Sequence, residues 1–264
     1  MQRLAFTILI ALFFFVLFGP YFGSSDPFAV HLDLKNSPPS PHFWFGTDEL
    51  GRDLWARCAH GGRISLSIAC LSALLDTCIA LLLASIAVCK GGKAANYFLR
   101  ICDLMQSIPY LLVVMFATLI FSPGFKTTLF AMTLTGWIPI ARAARLQLLH
   151  VQKEEYVLSA KALGASRAHI LFWHLLPNAF GPISASILLC VPNALFTEAF
   201  LSFLGLGLQA PAASWAVLLG DAIGVFAYYP WRFFFPAICL SFTIFAFHLL
   251  AHETQKRSSP RANL

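Results

Sequence analysis

Charge is scarce in this sequence. Only 11% of its 264 residues are Asp, Glu, Lys or Arg, where a water-soluble domain carries about 25%. With 58% hydrophobic residues and a mean hydropathy of +0.73, the scarcity excludes an ordinary soluble domain and points to a polytopic membrane protein. Cysteine pairing is missing as well. Cys58, Cys70, Cys78, Cys89, Cys102, Cys190 and Cys239 are scattered, and no two have the spacing of a zinc or redox site. Most fall in apolar runs, where Cys behaves as a small hydrophobe. A phosphate loop is missing: Gly92–Lys93 has Ala87 where such a loop needs its first Gly, and Ala94 where it needs Ser or Thr. Neither a Gly-x-Ser-x-Gly elbow nor a His-Glu-x-x-His pair occurs. The chain is therefore expected to be no enzyme and to hold no cofactor or metal. Its net charge of +6 does not suggest nucleic acid, because the basic residues lie between apolar runs and form no face or tail.

What is present is a series of apolar runs near the roughly 20 residues that a spanning helix needs. Leu4–Phe22 is the first, and the others are Ile64–Val88, Ile108–Phe121, Thr127–Ala144, Ala179–Leu201 and Trp231–Leu250. The third is short as an isolated run, with an earlier start near Ile101 as the alternative. The first ends in bulky Phe with no small-residue cleavage site after it, so it reads as an uncleaved anchor. Six helices put both termini on one side. Placing them in the cytoplasm gives 12 Lys and Arg inside, from Arg3 to Arg261, against six outside: Lys35, Arg52, Arg57, Arg63, Lys126 and Arg232. That bias supports the assignment.

Between the fourth and fifth runs lies a segment of different character, "KEEYVLSAKALGASRAHILFWHLLPN", from Lys153 to Asn178. Good helix formers run from Lys153 to Leu163, with Tyr156, Ala160 and Leu163 on one face. Glu154 and Glu155 suit the first turn of a helix. Gly164 suits the position after its end, with positive φ, and Ser166 suits the cap of a second helix. That second helix carries Ile170, Leu171, Leu175 and Leu176 on an apolar side and is expected to stop at Pro177. Small Ala160, Ala162 and Ala165 around Gly164 admit close approach by another protein. The residues alone leave two readings, a helix lying on lipid headgroups and a docking knob for a cytoplasmic partner.

The segment resembles the cytoplasmic loop of ABC importer permeases, with Ala160, Gly164, Leu176 and Pro177 matching, and Leu158 and Ser159 standing where an acid and an Ala are common. Phe45–Ala69, "FGTDELGRDLWARCAHGGRISLSIA", is similar to the external segment and second helix of the C-type permeases of dipeptide, oligopeptide and nickel importers. "EAFLSFLGLG" from Glu198 to Gly207, Ser214–Trp215, Pro230–Trp231, and Gly91–Gly92 followed by "RICDLMQSIP" extend the likeness in order over nearly the whole chain. The last span departs from the family pattern at His248, Ala251 and His252.

The resemblance implies an all-α, six-helix type I importer permease fold, MetI-like. It divides the chain into an anchor and external loop over 1–63 and a permease core over 64–264 that contains the coupling loop at about 146–178. It implies a homologous B-type permease, two cytoplasmic ATPase subunits and an external solute-binding protein as partners, in a bacterial inner membrane. ATPase contact would fall on Glu155, Tyr156, Ala160, Ala162, Leu163, Gly164 and Ala165. The cargo implied is a di- or oligopeptide, with nickel or another small solute as the alternative.

Two acids stand in the spans, Asp76 in mid-span and Glu198 near a span end. They are read as pore-lining or structural. An unpaired acid at the membrane centre costs about 2.5–3.5 kcal/mol. Such acids also mark secondary carriers or channels, a more distant alternative, but a lone acid without an internal repeat is a weak sign of one. Outside, Asp48, Glu49, Arg52 and Asp53 are expected to form local ion pairs that brace a loop, with no metal geometry specified by their spacing. Tyr110, Trp137, Trp173 and Phe196 read as packing or interfacial residues.

Overall fold

The computed structural model describes residues 2–22, 26–209 and 212–258. Arg261, one of the basic residues assigned to the inside, lies outside the described residues. Among them the secondary structure is helical, with one isolated bridge between Thr47 and Asp53.

Helix α1 runs Gln2–Phe22 and contains Pro20. Proline has no N–H to give the carbonyl four residues back, here that of Val16. Arg63 takes the place of the missing donor: its Nε donates to the Val16 carbonyl at 2.9 Å and its Nη2 to that of Leu17 at 2.7 Å. Trp55 Nε1 donates to the Gly19 carbonyl at 2.8 Å. Arg63 and Trp55 belong to α2, Leu54–Lys90, which Asp53 caps by accepting the Trp55 N–H at 3.0 Å. At 37 residues α2 is about 55 Å long, beyond the roughly 30 Å of a bilayer core. It therefore starts ten residues before the apolar run at Ile64. Gly62 makes room where α1 and α2 meet: a Cβ there would stand 2.5 Å from Val16 Cγ2 and 2.7 Å from the Trp215 ring.

The third apolar run is a bent pair, α3 (Gly92–Gln106) and α4 (Tyr110–Phe121), meeting at 76°. Pro109 sets the bend, since the residue before a proline is pushed out of helical backbone. The fourth run is not one helix. It divides into α5 (Phe125–Thr133) and α6 (Trp137–Val151), with Leu134, Thr135 and Gly136 in a turn between them. Pro139 enters the first turn of α6, where its lack of an N–H is tolerated.

A short helix α7 (Glu155–Ala162) follows, then α8 (Arg167–Ile170) and a π-turn over Leu171–Leu175 that leads into α9 (Leu176–Phe203). The second helix of the Lys153–Asn178 segment does not stop at Pro177, as its sequence suggests. The wide turn contains Trp173, whose carbonyl a proline at 177 would meet in a regular helix, and wide turns are among the devices that let a helix bend and continue. The chain thus runs helical from Arg167 to Phe203. Helices α10 (Trp215–Ile223) and α11 (Trp231–Ser258) complete the fold. By length and apolar composition α1, α2, the Arg167–Phe203 run and α11 can each cross a membrane, and the bent α3–α4 pair brings the number to five if it is counted as one span.

Helix α2 packs on α6 and α9, and α9 on α11. Their contacts are rich in small residues: Ala80, Ala84, Ala141, Ala144 and Ala179 are fully buried. In lipid, where apolar burial gives helices little drive to associate, such residues let backbones approach closely. This core continues through Leu148, Val157, Ile170 and Leu175 to the α7–α8 end of the bundle.

Candidate functional site

Local chemistry shapes the α7 segment. The Gly164 N–H bonds the Lys161 carbonyl and the Ala165 N–H bonds the Ala160 carbonyl, each at 3.1 Å, with Gly164 at φ +82°. This is a Schellman end, which needs a residue with positive φ and so favours glycine. Ser166 Oγ then accepts the His169 N–H at 3.2 Å and starts α8. The two helices join through a fixed turn.

One residue, Val157, anchors α7 in the core at 2% exposure. The face of Tyr156, Ala160 and Leu163 points away from it: Tyr156 is 43% and Leu163 89% exposed. Glu155, Ala162 and Gly164 are exposed too, and Ala160 and Ala165 half-buried. A Cβ added at Gly164 would meet nothing within 4 Å. Five of the seven residues singled out in the sequence are thus exposed on an outward knob, while Ala160 is half-buried and Ala165 packs against the core. Sequence reasoning missed its tether: Arg167 Nη1 donates to the Cys89 carbonyl at 3.1 Å, tying the knob to the last turn of α2.

At span depth, Asp76 and Glu198 are both buried, at 4% and 1% exposure, and lie in different settings. Glu198 stands beside Ser65 and Ser214. Ser65 Oγ accepts the Trp215 N–H and Ser214 Oγ the Val217 N–H, each at 3.2 Å. Each hydroxyl proton is free to turn towards the carboxylate, neither of whose buried oxygens has a hydrogen-bond partner. Asp76 instead lines a cavity of about 660 Å³ between α2, the α3–α4 bend, the α5–α6 turn and α9. Gln106, Tyr110, Thr135, Asn193 and Thr197 share its wall. Of the aromatics read as packing or interfacial, Trp137 is buried and Trp173 and Phe196 are 71% and 61% exposed, and Tyr110 and Phe196 line this cavity.

At the other end, Asp48 Oδ1 accepts the Leu50 and Arg52 N–H groups at 2.9 and 3.0 Å, and Oδ2 accepts Arg52 Nε at 2.7 Å and Arg57 Nη1. Burial pushes the Asp48 carboxyl up, but these N–H groups and the two guanidinium charges together hold it below its ordinary value of 3.8. The local pairing expected here is otherwise different. Glu49 pairs with Arg232 at 2.6 Å, and Asp53 caps α2. Asp53 is raised by burial against the opposing Trp55 and Ala56 N–H groups. Asp221 of α10 is raised by burial and the Glu49 charge, against Arg57, Arg232 and Arg52.

Residues 77–261 match the family described as the binding-protein-dependent transport system inner membrane component. The chain belongs to this family. It is a multi-pass permease subunit, non-enzymatic itself, of the ABC importer class, whose members work with ATPase and substrate-binding partners. The permease is 40% identical over 254 residues to the oligopeptide transport system permease protein OppC of Bacillus subtilis, covering 96% of this chain and 83% of that one. It is 41% identical over 255 residues to the dipeptide transport system permease protein DppC of the same organism, covering 96% and 80%. It is 31% identical over 255 residues to the probable D,D-dipeptide transport system permease protein DdpC of Escherichia coli, covering 97% and 86%. In fold it is similar to a chain of the MetNI methionine ABC transporter in an inward-facing conformation, with a TM-score of 0.61 and 16% identity over 76% of this chain and 96% of that one. An amino acid ABC transporter gives a TM-score of 0.58 at 15% identity, covering 76% and 94%.

Proposed function

We propose that this permease is the C-type subunit of an ATP-driven importer of di- and oligopeptides. In this reading it pairs with a homologous B-type permease to form the pathway, receives cargo from an external solute-binding protein and is driven by two cytoplasmic ATPase subunits. Counting α5–α6 as one broken crossing gives six, with both termini and α7 in the cytoplasm of a bacterial cell and the 26–53 segment outside. The oligopeptide and dipeptide permeases that align with almost the whole chain support the cargo class.

The observation that carries the mechanism is the outward knob. An ATPase closing on nucleotide must move something rigid, and the capped turn at Gly164 makes α7 and α8 one body. That body passes its motion to α9 through the continuous helix and to α2 through Arg167. Rigid-body transfer of this kind is a common conformational device. The residues proposed to meet the ATPase are Glu155, Tyr156, Ala160, Ala162, Leu163, Gly164 and Ala165.

Co-expression of this chain with candidate second-permease, ATPase and binding-protein subunits tests the reading. ATPase and second-permease subunits should co-purify with it, and proteoliposomes should take up trialanine only with ATP and the binding protein. On a cysteine-free background, Lys35→Cys should label from outside and Lys153→Cys from inside. Uptake by the chain without ATPase subunits, or labelling of position 153 from outside, would sink it.

A further inference from the structure

The Asp76 cavity holds one carboxylate and no Lys, Arg or His among its lining residues. Asp48 shows how this chain treats a carboxylate meant as a brace, with four hydrogen bonds from its own backbone and arginines. Asp76 is treated differently. Its Oδ2 has one long contact, from Ser72 Oγ at 3.4 Å, and its buried Oδ1 has no hydrogen-bond partner. Thr135 Oγ1, on the facing wall, is also buried without a partner. Gly136 leaves the carboxylate its place, since a Cβ there would stand 2.5 Å from Oδ2. Unpartnered polar atoms at this depth are costly, and these two belong to residues that line one cavity, where a ligand would complete them.

A buried carboxyl with no basic neighbour either keeps its proton or is met by a cation, and an ammonium brings three N–H donors with its charge. Around it Thr135, Asn193, Thr197 and the Tyr110 hydroxyl offer donors and acceptors suited to amide groups. The volume of about 660 Å³ lies within the range of small-molecule sites and admits two or three residues of an extended peptide. The mouth is rimmed by exposed Ile108, Leu189 and Phe196, which leaves it accessible from the α4–α9 face.

We propose that Asp76 binds the primary ammonium group of the transported solute. Resting on the peptide reading above, that group is the N-terminal ammonium of the peptide in passage. The site is a way-station inside the permease, separate from whatever the external binding protein recognises.

The test uses the assembled membrane complex without its binding protein. Asp76 is labelled with dicyclohexylcarbodiimide, and the modified fragment is read by mass spectrometry. Trialanine should slow the labelling several-fold and N-acetyl-trialanine should not. In full uptake assays, Asp76→Asn should raise the KM for trialanine about ten-fold or more, at equal subunit recovery, and Asp76→Glu should restore part of it. Equal protection by the two peptides, no protection by either, or a native KM in Asp76→Asn would overturn the proposal. If Asp76→Asn fails to assemble, the labelling of the native complex decides. If the native complex takes up no trialanine, the peptide reading has failed. The ammonium site is then read from phenethylammonium against neutral 2-phenylethanol: protection by the first alone supports it, and protection by both or neither overturns it.

Discussion

Arg167 reaches across 78 positions of sequence to donate to the Cys89 carbonyl at 3.1 Å. Cys89 lies in the last turn of α2, where carbonyls outnumber helical donors and where the helix dipole favours a cation. The bond joins two elements that the core alone would hold through Val157 and Ile170. Arg167→Ala should cost less than about 1 kcal/mol of stability, because the pair is exposed. Uptake should nonetheless fall several-fold at unchanged membrane levels, with ATP hydrolysis reduced less than transport. Equal loss of both would mean that the contact is a docking point and not a link in transmission.

Gly164 separates backbone strain from obstruction. A side chain there meets the cost of positive φ, of order 1 kcal/mol, but no atom of this chain within 4 Å. Asn tolerates that conformation better than other residues do. Gly164→Asn and Gly164→Asp should therefore both insert normally, and both should lose ATPase co-purification and most uptake. Glu155→Ala should do less, as a first-turn acid contributes about 0.3–1 kcal/mol. Normal uptake by Gly164→Asn would return α7 to the role of a helix lying on headgroups.

Asp48 makes the 26–53 segment sensitive to acid. Its carboxyl in the folded chain is held below the ordinary 3.8. A depressed carboxylate contributes stability that is present above the unfolded value and is lost as pH falls through the folded one. Asp53 and Asp221, which are raised, act with the opposite sign. Comparison with Asp48→Asn isolates the first effect. Protease resistance of the segment should fall in the native chain as pH drops below about 4, and Asp48→Asn should begin less resistant and change little over the same range. Parallel curves would show that Asp48 is not the titrating brace.

Ser214 serves two groups at once, accepting the Val217 N–H and standing beside Glu198. Ser214→Ala should cost about 0.5–2 kcal/mol for the lost cap, and more for leaving the carboxylate short of a donor. Glu198→Gln in the same chain should recover part of that second loss, since a neutral amide is less costly to bury than a charge. Thermal melts of the four combinations measure the coupling. Strict additivity would show that the two residues do not share a bond.

The turn at Gly164 and the cap at Ser166 were legible because their chemistry is complete within a few residues. The Asp48–Arg52 pair, four positions apart, was legible for the same reason. Arg57 on Asp48 and Arg232 on Glu49 join different elements, the second pair across 183 positions, and no periodicity reports them. The apolar run at Thr127–Ala144 concealed the α5–α6 turn, because hydropathy cannot tell a continuous helix from a broken one. Pro177 misled for a related reason: a proline marks where a regular helix fails, and the π-turn before it is not regular. The Asp76 cavity exists only once α2, α4, α6 and α9 are assembled, so the sequence showed the acid but not its surroundings.

The bond from Arg63 to the Val16 carbonyl also sets an order of events during synthesis. These residues are 47 positions apart. At about 5–20 residues per second, the ribosome adds Arg63 roughly 2–9 seconds after Val16. Over that interval the carbonyl freed by Pro20 depends on water or on the insertion machinery. The first helix is thus made before the second but cannot settle until the beginning of the second has been delivered, and a pause in translation between them would leave it waiting half-finished at the membrane surface.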